Sequence, residues 1–248
     1  MASSSWQPDW PVPARVQAHF YSREGGVSVA PYAGFNLATH VGDDSAAVRS
    51  NRQSLASELS TVAGFQWLQQ VHSNRVVRVD SAGDVLTADG LVTQQTRLGC
   101  CILTADCLPL FFASRDGAEV GVAHAGWRGM AGGIIENLLA QMQSPPAEIC
   151  VWLGPAIGPC HFEVGEDVCL SFAAVLPDEV IDECFKPAAQ NGKYYADLYQ
   201  LARRKLHALG VAEISGGAVC TVCDTEHCYS YRRDGQTGRN LSLIYIDP

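Results

Sequence analysis

Two apolar runs separated by a short polar break limit this chain's fold more than any other feature. Cys100–Leu103 and Leu108–Ala113 are far too short to cross a bilayer, which takes about 20 residues as a helix. They read instead as strand segments, Cys100–Thr104 and Leu108–Phe112, broken by Ala105-Asp106-Cys107. Arg115-Asp116-Gly117 then turns the chain into another strand, Glu119–His124. Further strands are expected at Val16–Tyr21, Gln66–His72, Val76–Val79, Ile149–Leu153, Gly217–Thr221 and Leu241–Ile246. A helix is expected from about Ser45 to Leu59, with Asp43, Asp44 or Ser45 as its N-cap. Others are expected at Gly129–Met142, Gly165–Leu176 and Asp197–Leu209. Strands and helices mixed without regular βαβ alternation argue for α+β layers rather than a doubly wound sheet. No repeat, low-complexity tract or long linker divides the chain, so one domain over residues 1–248 is expected.

Charge narrows the partners. The net charge of −9, from 17 Lys+Arg against 26 Asp+Glu, disfavours nucleic-acid backbones and anionic membranes. A small anionic substrate held by a few local Arg residues remains compatible. Met1 to Pro13 has no basic start and no apolar stretch, so it does not read as a signal peptide. A cytoplasmic protein is therefore expected, its ten cysteines reduced and most of them small core residues.

Chemistry concentrates where strands stop. His72 ends the strand in Gln69-Gln70-Val71-His72, Cys107 sits in the break between the apolar strands, and His124 ends the strand that follows. A polar residue at the end of an apolar strand is well placed to face a cleft. Two imidazoles and a thiolate are good zinc ligands, and three protein ligands leave a position for water or substrate. The spacings are long, and three unrelated strand-end residues are the alternative.

Four motifs extend the argument: Gln70-Val71-His72, Thr104-Ala105-Asp106-Cys107-Leu108-Pro109, His124-Ala125-Gly126-Trp127-Arg128-Gly129 and Gly154-Pro155-Ala156-Ile157-Gly158-Pro159-Cys160. With Gly34-Phe35-Asn36-Leu37, Val41-Gly42-Asp43, Phe162-Glu163-Val164-Gly165 and Tyr231-Arg232-Arg233-Asp234, they resemble the YfiH-type family over nearly the whole chain. That family is also called the laccase-domain or peptidoglycan-editing-factor family. The resemblance implies an α+β layered sandwich with central β-sheet and outer helices, a single domain of the YfiH-like, cysteine-hydrolase type. It also implies that His72, Cys107 and His124 are the metal ligands. For activity it implies zinc-dependent phosphorolysis of adenosine, inosine, guanosine or methylthioadenosine, with adenosine deamination. Older names of the family are polyphenol oxidase and laccase, and peptidoglycan editing has been attached to bacterial members. The expected partners are a purine nucleoside and phosphate, with no nucleic acid and no membrane, in a monomer or homodimer.

Physical chemistry ranks these activities. A multicopper oxidase needs a dense histidine set, whereas this chain has seven His and no His-x-His pair. Copper is thus a weaker expectation than zinc. A zinc-activated water suits attack on the purine C6, although the usual nucleobase-deaminase signature is missing. Phosphorolysis needs an anion site, for which Arg128 is well placed, directly before the expected Gly129–Met142 helix. The alternative for Arg128 is an ion pair with Asp106. Asn36, Gln70 and Arg232, with Arg233, are further substrate-binding candidates. Asp106 joins Cys107 and His124 as a catalytic candidate, its alternative being a turn role beside Cys107. A different class of mechanism is a metal-free cysteine hydrolase acting on an amide or ester, with Cys107 as nucleophile and His124 as base.

Cys220-Thr221-Val222-Cys223 with His227 and Cys228 hints at a second metal site. A four-ligand structural site normally shows a recurring paired spacing, so none is expected here. Cys160-His161 is not expected to form a nucleophilic pair. His19, His40 and His207 are expected to be surface or core residues, with His40 the best placed because it lies near Asn36.

Overall fold

A computed structural model describes residues 4–248; Met1–Ser3, part of the segment read as lacking an export signal, lie outside them. Two β-sheets form the centre of the described chain. The first has the order Ser5–Trp6, Val16–Tyr21, Asn240–Ile246, Leu98–Thr104 and Gly64–Gln66. The second runs Glu213–Gly216, Ile149–Leu153, Leu108–Ser114, Val120–Ala125, Gly90–Thr93 and Val76–Arg78. Both sheets are mixed. Antiparallel pairs run through their middles, and Gly64–Gln66, Val76–Arg78 and Glu213–Gly216 add parallel edges.

Side-chain alternation along the strands shows how the layers stack. In Leu98–Thr104, residues Leu98, Cys100 and Ile102 join an apolar core that also holds Phe111, Ala113, Val120 and Val122 of the other sheet. Cys101 and Leu103, pointing the opposite way, pack with Tyr21 and Leu243 against Leu55 of the helix Ser45–Glu58. In Leu108–Ser114 the alternate residues Leu110 and Phe112 face a third core, with Ile135 and Leu138 of one helix and Leu201 and Leu206 of another. The architecture is therefore helix, sheet, sheet, helices. Strands buried on both faces are why Cys100–Leu103 and Leu108–Ala113 are uniformly apolar.

The α+β expectation holds, and the sheet and helix positions agree with the sequence in most places. The helix N-cap is Asp44, whose side chain accepts from the Ala46 N–H at 3.0 Å. Four local expectations need correction. The Gly129–Met142 helix is two helices, Trp127–Ala131 and Ile134–Gln141, because Gly133 adopts φ 96° and breaks the turn between them. The Gly165–Leu176 helix ends at Ala173, and a separate helix, Asp178–Cys184, follows Pro177. Gly217–Thr221 is a loop; its strand lies earlier, at Glu213–Gly216. Gln66–His72 is interrupted after Gln66 and again after Gln69. Among the described residues, no helix is long and apolar enough to cross a membrane.

Candidate metal centre

Strand register assembles the centre. Gly90 pairs with Ala123, and Leu108 pairs with Ala125. Asp89, one residue before Gly90, therefore stands opposite His124, and Cys107, one residue before Leu108, lies beside Gly126 at the end of the adjacent strand. The backbone carries the first contact: the His124 N–H donates to the Asp89 carbonyl at 2.7 Å. His124 shares the parity of Val120 and Val122, so it projects from the inter-sheet face where that core opens.

His72 arrives from a loop and is fastened by Asp89. The Asp89 carboxylate accepts the N–H groups of Val71 (3.3 Å), His72 (3.1 Å) and Ser73 (2.7 Å) and the Ser73 hydroxyl (2.6 Å). This nest holds His72 at φ 58°, a left-handed conformation costly for a residue with a Cβ. Its ring lies 4.8 Å from that of His124, nearly edge to face. Asp89 is fully buried and also lies 2.8 Å from His124 Nδ1, which turns Nε2 toward the cavity. Sequence reasoning missed Asp89. Its signal was an acid between Ala88 and Gly90 at the mouth of an apolar stretch.

The ligating atoms of His72, Cys107 and His124 lie within 4.8 Å of one another, and Cys107 Sγ is 3.9 Å from His72 Nε2. Burial resists ionisation of the Cys107 thiol, but the charge of His124 and hydrogen bonds from both imidazoles outweigh it and hold the thiol at about 6. Burial likewise resists a charge on His124. The Cys107 thiolate and the Asp89 carboxylate overcome that and raise it to about 9. Two imidazoles and a ready thiolate close to one another, with a carboxylate behind one ring, are a donor set that could hold a metal ion.

The centre opens into a cavity of about 430 Å³, within the range of small-ligand sites. Gln70, Arg128 and Arg232 line it as the sequence suggested, and so do His40 and Arg239. Arg128 is exposed and stacks on Trp127 at 4.3 Å rather than pairing with Asp106. The helix behind it has only five residues, so the long helix expected to help hold an anion is absent there. Gln70 spends its amide on the Leu103 backbone, accepting from its N–H and donating to its carbonyl, both at 2.8 Å. Asp106 sits at φ 89°, and its carboxylate accepts from the Thr221 hydroxyl and the Arg232 N–H, each at 2.6 Å. Both its oxygens serve the turn that presents Cys107. Asn36 lies away from the cavity lining, fully buried and bonded to Asp43, Ala38 and the Arg239 N–H. Arg233 is turned inward onto the carbonyls of Thr221 and Cys228. His19 is buried away from the cavity.

A family model described as "multi-copper polyphenol oxidoreductase laccase" matches residues 17–247. The chain belongs to this laccase-domain family. Among its laccase-domain relatives is a purine nucleoside phosphorylase of Haemophilus influenzae, 44% identical, with 97% of this chain and 98% of that protein covered. Another is the purine nucleoside phosphorylase YfiH of Escherichia coli K12, 42% identical over 96% of this chain and 97% of that one. Laccase-domain structures extend the likeness to the fold. The Neisseria meningitidis protein NMB0706 matches with a TM-score of 0.93 at 43% identity, covering 98% of this chain and 99% of that one. YlmD from Geobacillus stearothermophilus matches with a TM-score of 0.86 at 34% identity, covering 95% and 93%.

Proposed function

We propose that this protein is a zinc-dependent purine nucleoside phosphorylase whose centre is His72, Cys107 and His124, with adenosine deamination as a second activity of the same cavity. The observation that carries the reading is a two-imidazole, one-thiolate donor set opening into a cavity whose rim holds the guanidinium groups of Arg128, Arg232 and Arg239. Purine nucleoside phosphorylase is also the name of the relatives described above. When bound, zinc supplies a Lewis acid with a free position toward substrate. The chain's residues do the rest. His124 is fixed by Asp89, so its Nε2 cannot swing away, and the Asp106 turn presents Cys107. Phosphorolysis transfers the ribosyl C1′ from the purine nitrogen to a phosphate oxygen, so the phosphate dianion must be gripped beside the sugar. Arg128 is the main candidate for that grip, because its guanidinium has no carboxylate partner among the described residues. Arg232 and Arg239, which also line the cavity, contribute positive potential. Trp127, Phe162 and Tyr231 offer aromatic surface for a base.

The donor types also bear on copper. A thiolate with two imidazoles serves blue-copper sites, but these add a weak axial ligand such as Met, and among the described residues no Met lines this cavity. An open, solvent-reaching position suits substrate chemistry better than electron transfer.

The test is product analysis of zinc-loaded protein with adenosine and with inosine, with and without phosphate. Phosphate-dependent release of free base is the expected result, with inosine forming from adenosine even without phosphate. Absence of any nucleoside turnover by zinc-replete protein would refute the proposal. A second reading has one observation in its favour: Cys107 held at about 6 beside His124, itself backed by Asp89, is the arrangement of a cysteine hydrolase. It leaves His72 without a chemical part. Turnover of an amide or ester by metal-free protein, through a trapped Cys107 adduct, would favour it.

A further inference from the structure

Behind the cavity wall, a second group of ligating side chains comes together from two loops. Cys160 and His161 follow the loop after the strand Ile149–Leu153, and Cys220 and Cys223 follow the strand Glu213–Gly216. The three sulfurs and His161 Nδ1 lie within 4.8 Å of one another. Cys160 Sγ is 3.9 Å from that of Cys220 and 3.8 Å from that of Cys223. His161 Nδ1 is 3.1, 3.7 and 3.5 Å from the sulfurs of Cys160, Cys220 and Cys223. Ligands at the corners of a tetrahedron around zinc, with Zn–S near ~2.3 Å and Zn–N near ~2.05 Å, stand about 3.8 Å apart sulfur to sulfur and about 3.6 Å sulfur to nitrogen. Four of the edges have those dimensions, Cys160 to His161 is somewhat short, and Cys220 to Cys223 lies within 4.8 Å.

We propose that Cys160, His161, Cys220 and Cys223 form a closed, structural zinc site, separate from the centre at His72, Cys107 and His124. Four protein ligands leave no open position, so this site holds loops rather than substrate. The sulfur separations are nearly twice a disulfide bond, and pairing any two cysteines would strand the third. Backbone support is also present. The Gly158 N–H donates to Cys220 Sγ at 3.2 Å, the kind of contact that supports a metal thiolate. A Cβ on Gly158 would lie 3.1 Å from Cys220 Cβ and 3.3 Å from its sulfur, so a side chain there would push Cys220 back by a few tenths of an ångström.

The loops so joined carry part of the cavity. The Ile157 N–H donates to the Asp106 carbonyl, Thr221 donates to the Asp106 carboxylate, and Arg232 donates to the His161 carbonyl at 2.8 Å. The clip thus fixes the turn that presents Cys107 and one of the cavity's guanidinium groups. His227 and Cys228 take no part: His227 is paired with Asp224, and Cys228 is buried.

The test is metal analysis of the full-length protein purified without chelator from zinc-supplemented cells. Wild type is expected to carry two zinc ions per chain. The double variant Cys160→Ser/Cys223→Ser, at two exposed positions, should carry one and unfold at a lower temperature. His124→Ala should lose the cavity zinc and keep the other, so failure of the cavity centre is read separately. A double variant holding as much zinc as wild type overturns the proposal, as does a disulfide among these cysteines in protein kept anaerobic. Cobalt replacement of wild type needs no variant. Its thiolate-to-metal charge-transfer absorption should carry the three sulfurs of this site besides Cys107, and intensity for one thiolate alone overturns the proposal.

Discussion

Asp89→Asn tests the support of the cavity centre most directly. The carboxylate receives five donors: the three N–H groups of Val71, His72 and Ser73, the Ser73 hydroxyl and His124 Nδ1. An amide has one oxygen to accept with and turns its own N–H groups toward donors. Burial alone would raise the Asp89 carboxyl. Hydrogen bonds from His124 and Ser73 override that and hold it at about 2, against an ordinary 3.8. That depression corresponds to roughly 2 kcal/mol of folding free energy at neutral pH. Because the folded value is the lower one, this contribution is present above about pH 4 and is lost as pH falls through about 2. Denaturant unfolding of metal-free protein should therefore show the variant destabilised by roughly 2 kcal/mol above pH 4, with the gap to wild type closing in stronger acid. Zinc affinity, read by competition with a chromophoric chelator, should fall about 10- to 100-fold, as when the carboxylate behind a ligating histidine is lost. A folded variant that binds zinc within twofold of wild type would refute the argument that Asp89 positions both imidazoles.

Other perturbations reach the same centre from different sides. Zinc affinity should rise roughly tenfold per pH unit between about 6 and 9, where His124 must release its proton and Cys107 is already ionised. The slope should steepen below about pH 6, and a flat profile in chelator competition would contradict these assignments. Gly126→Ala would bring a Cβ to 2.9 Å from Cys107 Sγ and 3.3 Å from His72 Cδ2, so the purified variant should hold little cavity zinc by metal analysis while still folding. Cys107→Asp should keep some cavity zinc and weak nucleoside turnover, whereas a substrate adduct trapped on wild-type Cys107 would overturn the zinc reading. Arg128→Ala should raise the phosphate KM about 10- to 100-fold, the worth of a charged hydrogen bond, and an unchanged phosphate KM would remove Arg128 from the anion site.

What could be read from the sequence follows from where the information was local. The runs Cys100–Thr104 and Leu108–Phe112 carry their structure in their own residues and fold within the strands Leu98–Thr104 and Leu108–Ser114, and the cap falls at Asp44, one of three adjacent residues the sequence offered. Boundaries failed where glycine or proline acted through backbone angle, as at Gly133 and Pro177. His72, Cys107 and His124 stood out because each was read where a strand stops or breaks. Asp89 did not, since its importance comes from register: it stands opposite His124 only once Gly90 pairs with Ala123. Asn36 misled for the converse reason, as a polar residue in a recognisable motif whose bonds all turn inward. The cluster at Cys160 was hidden by a sequence gap between two pairs that meet only after the strands Ile149–Leu153 and Glu213–Gly216 lie side by side.

The parity of the strand Val120–Ala125 makes metal content a gauge of correct assembly. A slip of one residue against Leu108–Ser114 would turn His124 toward the helices and bring Ala123 or Ala125 to the inter-sheet mouth. Such a misthreaded chain could still bury a largely apolar strand, because small and branched apolar residues occupy both faces. It could not chelate zinc at the cavity. On the zinc proposal, refolding followed by cavity-zinc uptake counts chains in the native register, a distinction that bulk compaction or secondary-structure content would miss.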